Sequence, residues 1–139
     1  MTEQFRLTVD SRLERLSEIA DFVQAAASQC GLNEKKIYDV QMAVDEACSN
    51  VIEHAYGGAS TGTIQIVCEK RGKDFVVTIR DYGKAFDPNQ VARPKTNAPL
   101  SKRNIGGLGL FFIYKMMDHV KFDFSSGHGN VLTMVKKIK

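Results

Sequence analysis

Apolar residues recur along the chain with two different periods, and the switches between them mark out the elements. Phe5, Leu7 and Val9 alternate with polar neighbours, the two-residue period of a strand with one buried face. Ser11 and Glu14 then fit the S-x-x-E capping box of a helix start. Leu13, Leu16, Ala20, Val23 and Ala27 follow at helical spacing, and Gly31 supplies a C-terminal stop. Asn33 can cap a second helix, whose stripe of Ile37, Val40, Val44, Ala47 and Val51 carries it to about Tyr56, before Gly57 and Gly58. Ile64, Ile66 and Cys68 alternate, as do Phe75, Val77 and Ile79, with Arg71, Gly72 and Lys73 between them as a hairpin turn.

From Tyr82 to Asn104 the periodicity disappears. The stretch holds all three prolines, Pro88, Pro94 and Pro99. It is longer than most connections in compact domains, which marks it as a functional lid or a disordered segment. Gly106, Gly107 and Gly109 open a third helix through about Asp118. Val120, Phe122 and Phe124 form a fourth strand, and Gly127 to Gly129 turn the chain into a fifth, Val131 to Ile138. This order of elements predicts an α+β fold, with one sheet and its helices on one face.

Composition narrows the class. The 139 residues fit a single domain, 1–139, able to close one core unaided. With 43% hydrophobic and 25% charged residues the chain reads as a soluble globular protein. No window approaches the ~20 apolar residues of a membrane span. Met1 to Val9 contains Glu3 and no apolar run, so it does not read as a secretory signal, and a cytoplasmic location is expected. The net charge of +3 is too small to point to nucleic acid. Lys84, Arg93, Lys95, Lys102 and Arg103 nevertheless gather in the lid against the single acid Asp87, as a solvated loop or one that faces a polyphosphate. Cys30, Cys48 and Cys68 show no ligand spacing with one another or with His54, His119 and His128, which leaves them as buried thiols and not a zinc site.

Three stretches could carry chemistry. In Asp45 to His54, D-E-A-C-S-N-V-I-E-H, the residues Glu46, Asn50 and His54 are four apart and share a helical face bordering the apolar stripe. The Asn50 carbonyl suits Mg²⁺ as a neutral oxygen ligand, and Glu46 suits a general base; equally, the trio can be a polar flank. Asp81 ends an apolar strand and begins D-Y-G-K-A-F-D-P. Its carboxylate can accept from an amino group such as that of adenine, where guanine presents an oxygen, or can simply form a turn before Gly83. Gly106-Gly107-Leu108-Gly109-Leu110 runs into a helix, where backbone amides can approach phosphate. It matches neither the P-loop nor the dinucleotide fingerprint.

Taken together, D-E-A-C-S-N-V-I-E-H-A-Y, D-Y-G-K-A-F-D-P and G-G-L-G-L-F-F-I-Y-K-M-M-D resemble the GHKL ATPase superfamily of gyrase, histidine kinases and mismatch-repair ATPases. Within it the likeness is greatest to the small bacterial anti-sigma factor serine/threonine kinases. The resemblance runs from the first helix to the last strand pair. It implies a two-layer sandwich with a mixed, mainly antiparallel sheet, binding ATP or ADP with Mg²⁺. It further implies that Glu46 is the catalytic carboxylate, Asn50 the Mg²⁺ ligand and Asp81 the reader of the adenine amino group, with Gly83 keeping the backbone close to the base. Gly107, Leu108 and Gly109 match the second glycine box, over the phosphates. Lys84 to Gly106 corresponds to the ATP lid, where Lys102 and Arg103 could meet phosphate. Two positions depart from the pattern: Ala85 replaces a common glycine or proline, and Asn130 stands where many relatives have a threonine. Asn130 or Thr133 could take over that contact with the base.

The function implied is phosphorylation of an anti-sigma factor antagonist together with sequestration of a sigma factor, in a family whose members commonly form homodimers. One alternative is a non-catalytic ATP-binding partner switch. Another is the catalytic domain of a two-component histidine kinase, which needs a helical dimerisation segment with a phosphoacceptor histidine that is not read here.

Overall fold

The computed structural model describes residues 4–58, 60–84, 105–124 and 129–139. Strand β1 is Gln4–Asp10, helix α1 Leu16–Gln29 and helix α2 Glu34–Asn50. Strands β2 (Thr63–Arg71) and β3 (Asp74–Asp81) follow, then helix α3 (Ile105–Met116) and strands β4 (His119–Asp123) and β5 (Asn130–Lys137). The strands form one sheet in the order β1-β2-β3-β5-β4, and all four pairings are antiparallel.

Alternation decides which side of the sheet is dry. Val9, Ile64, Ile66, Cys68, Phe75, Val77, Ile79, Leu132 and Met134 belong to one core cluster, with the partly buried Phe5 and Leu7 packed against it. Helices cover that side with Ile19, Val23, Val40, Val44, Ala47, Leu110 and Ile113. Cys30, Cys48 and Cys68 are buried and form no disulfide, and burial pushes the thiols of Cys48 and Cys68 upward in pKa, so those two remain protonated and inert. Among the described residues no helix is long and apolar enough to cross a membrane.

The helix starts differ. Asn33 caps α2 as expected, accepting from the Lys36 amide at 2.9 Å. Ser11 does not cap a helix: its Oγ accepts from the Gly62 amide at 3.0 Å, tying β1 to the start of β2. The first turn, Leu13–Arg15, is a 3₁₀ turn whose N-cap, Arg12, makes no side-chain capping bond. Its tighter winding puts Leu13 out of register with the stripe and leaves it 50% exposed. The buried face of α1 is consequently Ile19, Val23, Ala26 and Ala27.

The end of α2 also departs from a regular helix. Val51–Ala55 form a π-helical turn, in which the Tyr56 amide reaches Val51 O at 3.0 Å. Gly57 and Gly58, at φ +59° and +82°, then take the left-handed conformation that stops it.

Ile66 lies in the middle of the dry face and is fully buried. Ile66→Ala is expected to destabilise the fold by about 2–5 kcal/mol, through lost burial and the cavity left behind. Urea denaturation should show a lower midpoint at unchanged slope; an unchanged midpoint would remove Ile66 from the core.

Candidate functional site

A cavity opens where the C-terminal end of α2, α3, and the sheet at the end of β3 and start of β5 meet. Its lining includes Ala47, Asn50, Val51, Ile79, Asp81, Leu110, Ile113, Phe122, Phe124 and Asn130. The walls are mainly apolar, with three polar side chains, all nearly buried: Asn50 at 6% exposure, Asp81 at 5% and Asn130 at 8%.

Each polar residue arrives by a different route. Asn50 is the last residue of α2, held against the core by Ala47 and Val51. Its side chain makes no hydrogen bond to the described residues, and although the residue is buried overall its polar atoms stay open to the cavity. Asp81 ends β3 and pairs in register with Asn130, the first residue of β5. Its Oδ1 accepts from the Gly83 amide at 2.9 Å and from Asn130 Nδ2 at 2.8 Å. Its Oδ2 has no partner among the described residues.

Charge pairing separates this carboxylate from the others. Among the described residues three carboxylates are buried: Asp39, Glu69 and Asp81. Lys136 lies 3.1 Å from Asp39, and Arg71 pairs with Glu69. Asp81 has no such cation among the described residues. Burial raises its pKa, and the bonds from Asn130 and Gly83 only partly oppose this.

Glu46 sits one turn before Asn50, half-buried, and is not among the residues lining the cavity. Burial raises its pKa, and the neighbouring charges of Asp45 and Glu53 raise it further. No cation pairs with it among the described residues. The π turn breaks the four-residue spacing beyond Asn50, so His54 is exposed while Asn50 is buried. The trio expected on one face therefore reduces to Glu46 and Asn50.

Gly83 has a packing reason to be glycine. A Cβ there would fall 2.5 Å from the Ala55 carbonyl oxygen, in the π turn. The same oxygen accepts from the Lys84 amide at 2.7 Å, so the corner after β3 is laid directly on the end of α2. Tyr56, which closes the first motif, is a residue that spacing did not single out. Its hydroxyl donates to Thr63 O at 2.8 Å and accepts from the amides of Tyr82 (2.8 Å) and Thr63 (3.3 Å), using its full bonding capacity.

Gly107, Leu108 and Gly109 lie within α3, immediately before Leu110 of the cavity wall. The amides of the first helical turn have no intrahelical acceptors, and this end carries the positive pole of the helix. Lys102, Arg103 and the lid from 85 to 104, with Ala85, lie outside the described residues.

The family model for the histidine kinase-like ATPase domain matches residues 9–136. The chain belongs to this family. It is 31% identical over 138 residues to the serine-protein kinase RsbW of Halalkalibacterium halodurans, covering 96% of this chain and 83% of that one. It is 32% identical over 131 residues to the anti-sigma F factor of Clostridium novyi, covering 93% and 89%. Among solved structures, the RsbU and RsbW domains of Rv1364c from Mycobacterium tuberculosis match with a TM-score of 0.70 at 14% identity, over 98% of this chain and 32% of that longer one. The histidine kinase domain of Erythrobacter litoralis EL346 matches with a TM-score of 0.56 at 14% identity, over 91% and 60%. At that identity these two show the ATPase-domain fold alone.

The raised pKa of Asp81 has a consequence for stability. Because its folded value lies above the unfolded one, the native state holds the proton more readily, and stability is lost as pH rises through the carboxylate range. Asp81→Asn keeps an oxygen for the Gly83 and Asn130 donors and removes the charge. Without nucleotide, this variant is expected to melt no lower than the parent at neutral pH, with any advantage vanishing in acid. A lower melting temperature at neutral pH would contradict this.

Proposed function

We propose that this histidine kinase-like ATPase domain is an ATP-dependent protein-serine/threonine kinase of the anti-sigma type. It phosphorylates an anti-sigma factor antagonist and binds a sigma factor. The observation that carries the reading is the cavity itself, where an unpartnered Asn50 amide and an uncompensated Asp81 carboxylate stand among apolar walls. An apolar slot with a few convergent polar groups is the form of a small-molecule site. The relatives named serine-protein kinase and anti-sigma F factor, aligned over 83% and 89% of their lengths, support a serine-kinase activity and a sigma-factor partner.

The residues fit the nucleotide and its metal. The open Oδ2 of Asp81 would accept from the adenine amino group. The orphaned Asn50 Oδ1 would hold Mg²⁺, which is usually bound by few protein oxygens together with phosphates and water. The metal, when bound, neutralises phosphate charge. The first-turn amides of α3, with Lys102 and Arg103 from the lid, would meet the phosphates. Glu46 would take the proton from the attacking hydroxyl. Its raised pKa makes it a stronger base, and no neighbouring cation among the described residues quenches it.

Incubation with labelled ATP, Mg²⁺ and a candidate antagonist should place label on serine or threonine. Glu46→Gln is expected to slow this transfer by roughly 10²–10⁴-fold with ATP binding retained. Since the ionised form is the active one, the rate of the parent should fall with pH through a limb above the ordinary carboxylate range. Transfer by Glu46→Gln at near-normal rate would exclude the residue as the base.

A further inference from the structure

Alternation along β3 sends Ile79 and Asp81 toward the helices and turns Arg80, between them, to the opposite face of the sheet. There Arg80 borders a groove of about 230 Å³ together with Arg6 of β1 and Arg71 of β2. In register, Arg6 faces Val67 and Arg80 faces Gln65, so these two arginines stand on the strands either side of β2. Two strand spacings, roughly 10 Å, separate their backbones, a span that two guanidinium groups and one small ligand fill.

Three arginines line the groove against one acid, Glu69, and that acid is already engaged. Arg71 pairs with it, and its Oε2 accepts from Gln4 Nε2 at 3.1 Å. The other end of the Gln4 amide holds Arg6, whose Nε and Nη2 donate to Gln4 Oε1 at 3.1 and 2.8 Å. Arg6 thus has a neutral acceptor and no carboxylate among the described residues. Arg80 makes no hydrogen bond or ion pair with the described residues, and its Nε is buried. Arg12 Nε is also buried without a hydrogen bond, but the Asp10 carboxylate lies 2.7 Å from it. Among the described residues, only at Arg80 does a buried guanidinium donor meet no acceptor of any kind. Such a donor is costly, and in native proteins it is normally completed by water or a bound ion.

We propose that this groove is an oxyanion site in which Arg80 and Arg6 hold a carboxylate or phosphate group above β2. The planar guanidinium fork matches the paired oxygens of such groups. The Gln65 amide and the Thr78 hydroxyl, which make no side-chain hydrogen bond to the described residues, add neutral donors. No aromatic side chain lines the groove, and Val67 is its one apolar member, so it has no slot for a base and takes the anion alone. Two sources present that group: a free small oxyanion, or an aspartate or glutamate side chain of a bound protein. Because Ile79 and Asp81 line the cavity on the other side of β3, this site stands or falls apart from the nucleotide reading.

The test is titration of ¹⁵N-labelled protein with inorganic phosphate and, separately, with a hexaglutamate peptide, at constant ionic strength, following the arginine Nε–H resonances. Those of Arg80 and Arg6 are expected to shift together on one saturating curve, while those of Arg12 and Arg15, already paired with Asp10, stay in place. Arg80→Gln should weaken binding about tenfold or more, read from Arg6. Arg6→Gln should do the same, read from Arg80, and carries the comparison if the first variant does not fold. The two ligands separate the sources: tighter binding of the peptide assigns the groove to an acidic segment of a partner, tighter binding of phosphate to a free oxyanion, and either supports the site. Responses to both ligands that stay linear, or that the variants leave unchanged, are general charge screening and overturn the proposal.

Discussion

Asp81 is a carboxylate taken out of water at the end of β3 with no cation beside it among the described residues. Such a group is tolerated only where hydrogen bonds replace the water it has lost. The replacements come from the Gly83 amide and from Asn130, 49 residues further along the chain. Satisfying one oxygen therefore fixes the corner after β3 against the start of β5. That corner in turn lies on the π turn, where Gly83 fits against the Ala55 carbonyl and Lys84 bonds to it. The end of α2 is thereby set against the sheet, and Asn50 reaches the cavity through that placement.

The arrangement is not one that stability alone would favour. Asp39 and Glu69 show how this chain buries a carboxylate for structure: each has a lysine or arginine partner. Asp81, the half-buried Glu46 and the neighbouring Asp45 have none among the described residues, and desolvation raises the pKa of all three. Perturbed groups gathered beside a cavity mark functional sites more often than chance. Here they occupy two motifs of an ATPase domain. Acceptors and bases left open on one side of a fold, and paired on the other, are what a cationic metal and an amino-bearing base would complete.

Local signals in the sequence located most of the fold. Alternation placed the first four strands, the glycine turn before it placed the fifth, and the Asn33 cap and the glycine stops placed α2, because these depend on neighbours a few residues away. The failures have a common cause. Ser11 and Glu14 satisfy a capping pattern, but the Gly62 amide, 51 residues away, claims the Ser11 hydroxyl. Leu13 fits a helical stripe, but the turn it occupies is 3₁₀. The π turn after Asn50 leaves no mark in hydrophobic spacing, so His54 was grouped with a face it does not share. Tyr56 and Gly83 owe their places to contacts across the chain. Asn50 and Asp81 were legible as candidates because their motifs are local, whereas their meeting in one cavity depends on the tertiary structure. Asn130 was visible only as a departure from a pattern, and its bonds to Asp81 and Gly83 give that departure a chemical content.

The whole account depends on Asn50, Asp81 and Asn130 belonging to one nucleotide pocket. Their amide signals report on it directly in ¹⁵N-labelled protein titrated with ATP and Mg²⁺. The side-chain NH₂ resonances of Asn50 and Asn130 and the backbone amide of Gly83 should shift together along a single binding curve. Shifts confined to other parts of the sheet, with these three unmoved at saturation, would contradict it.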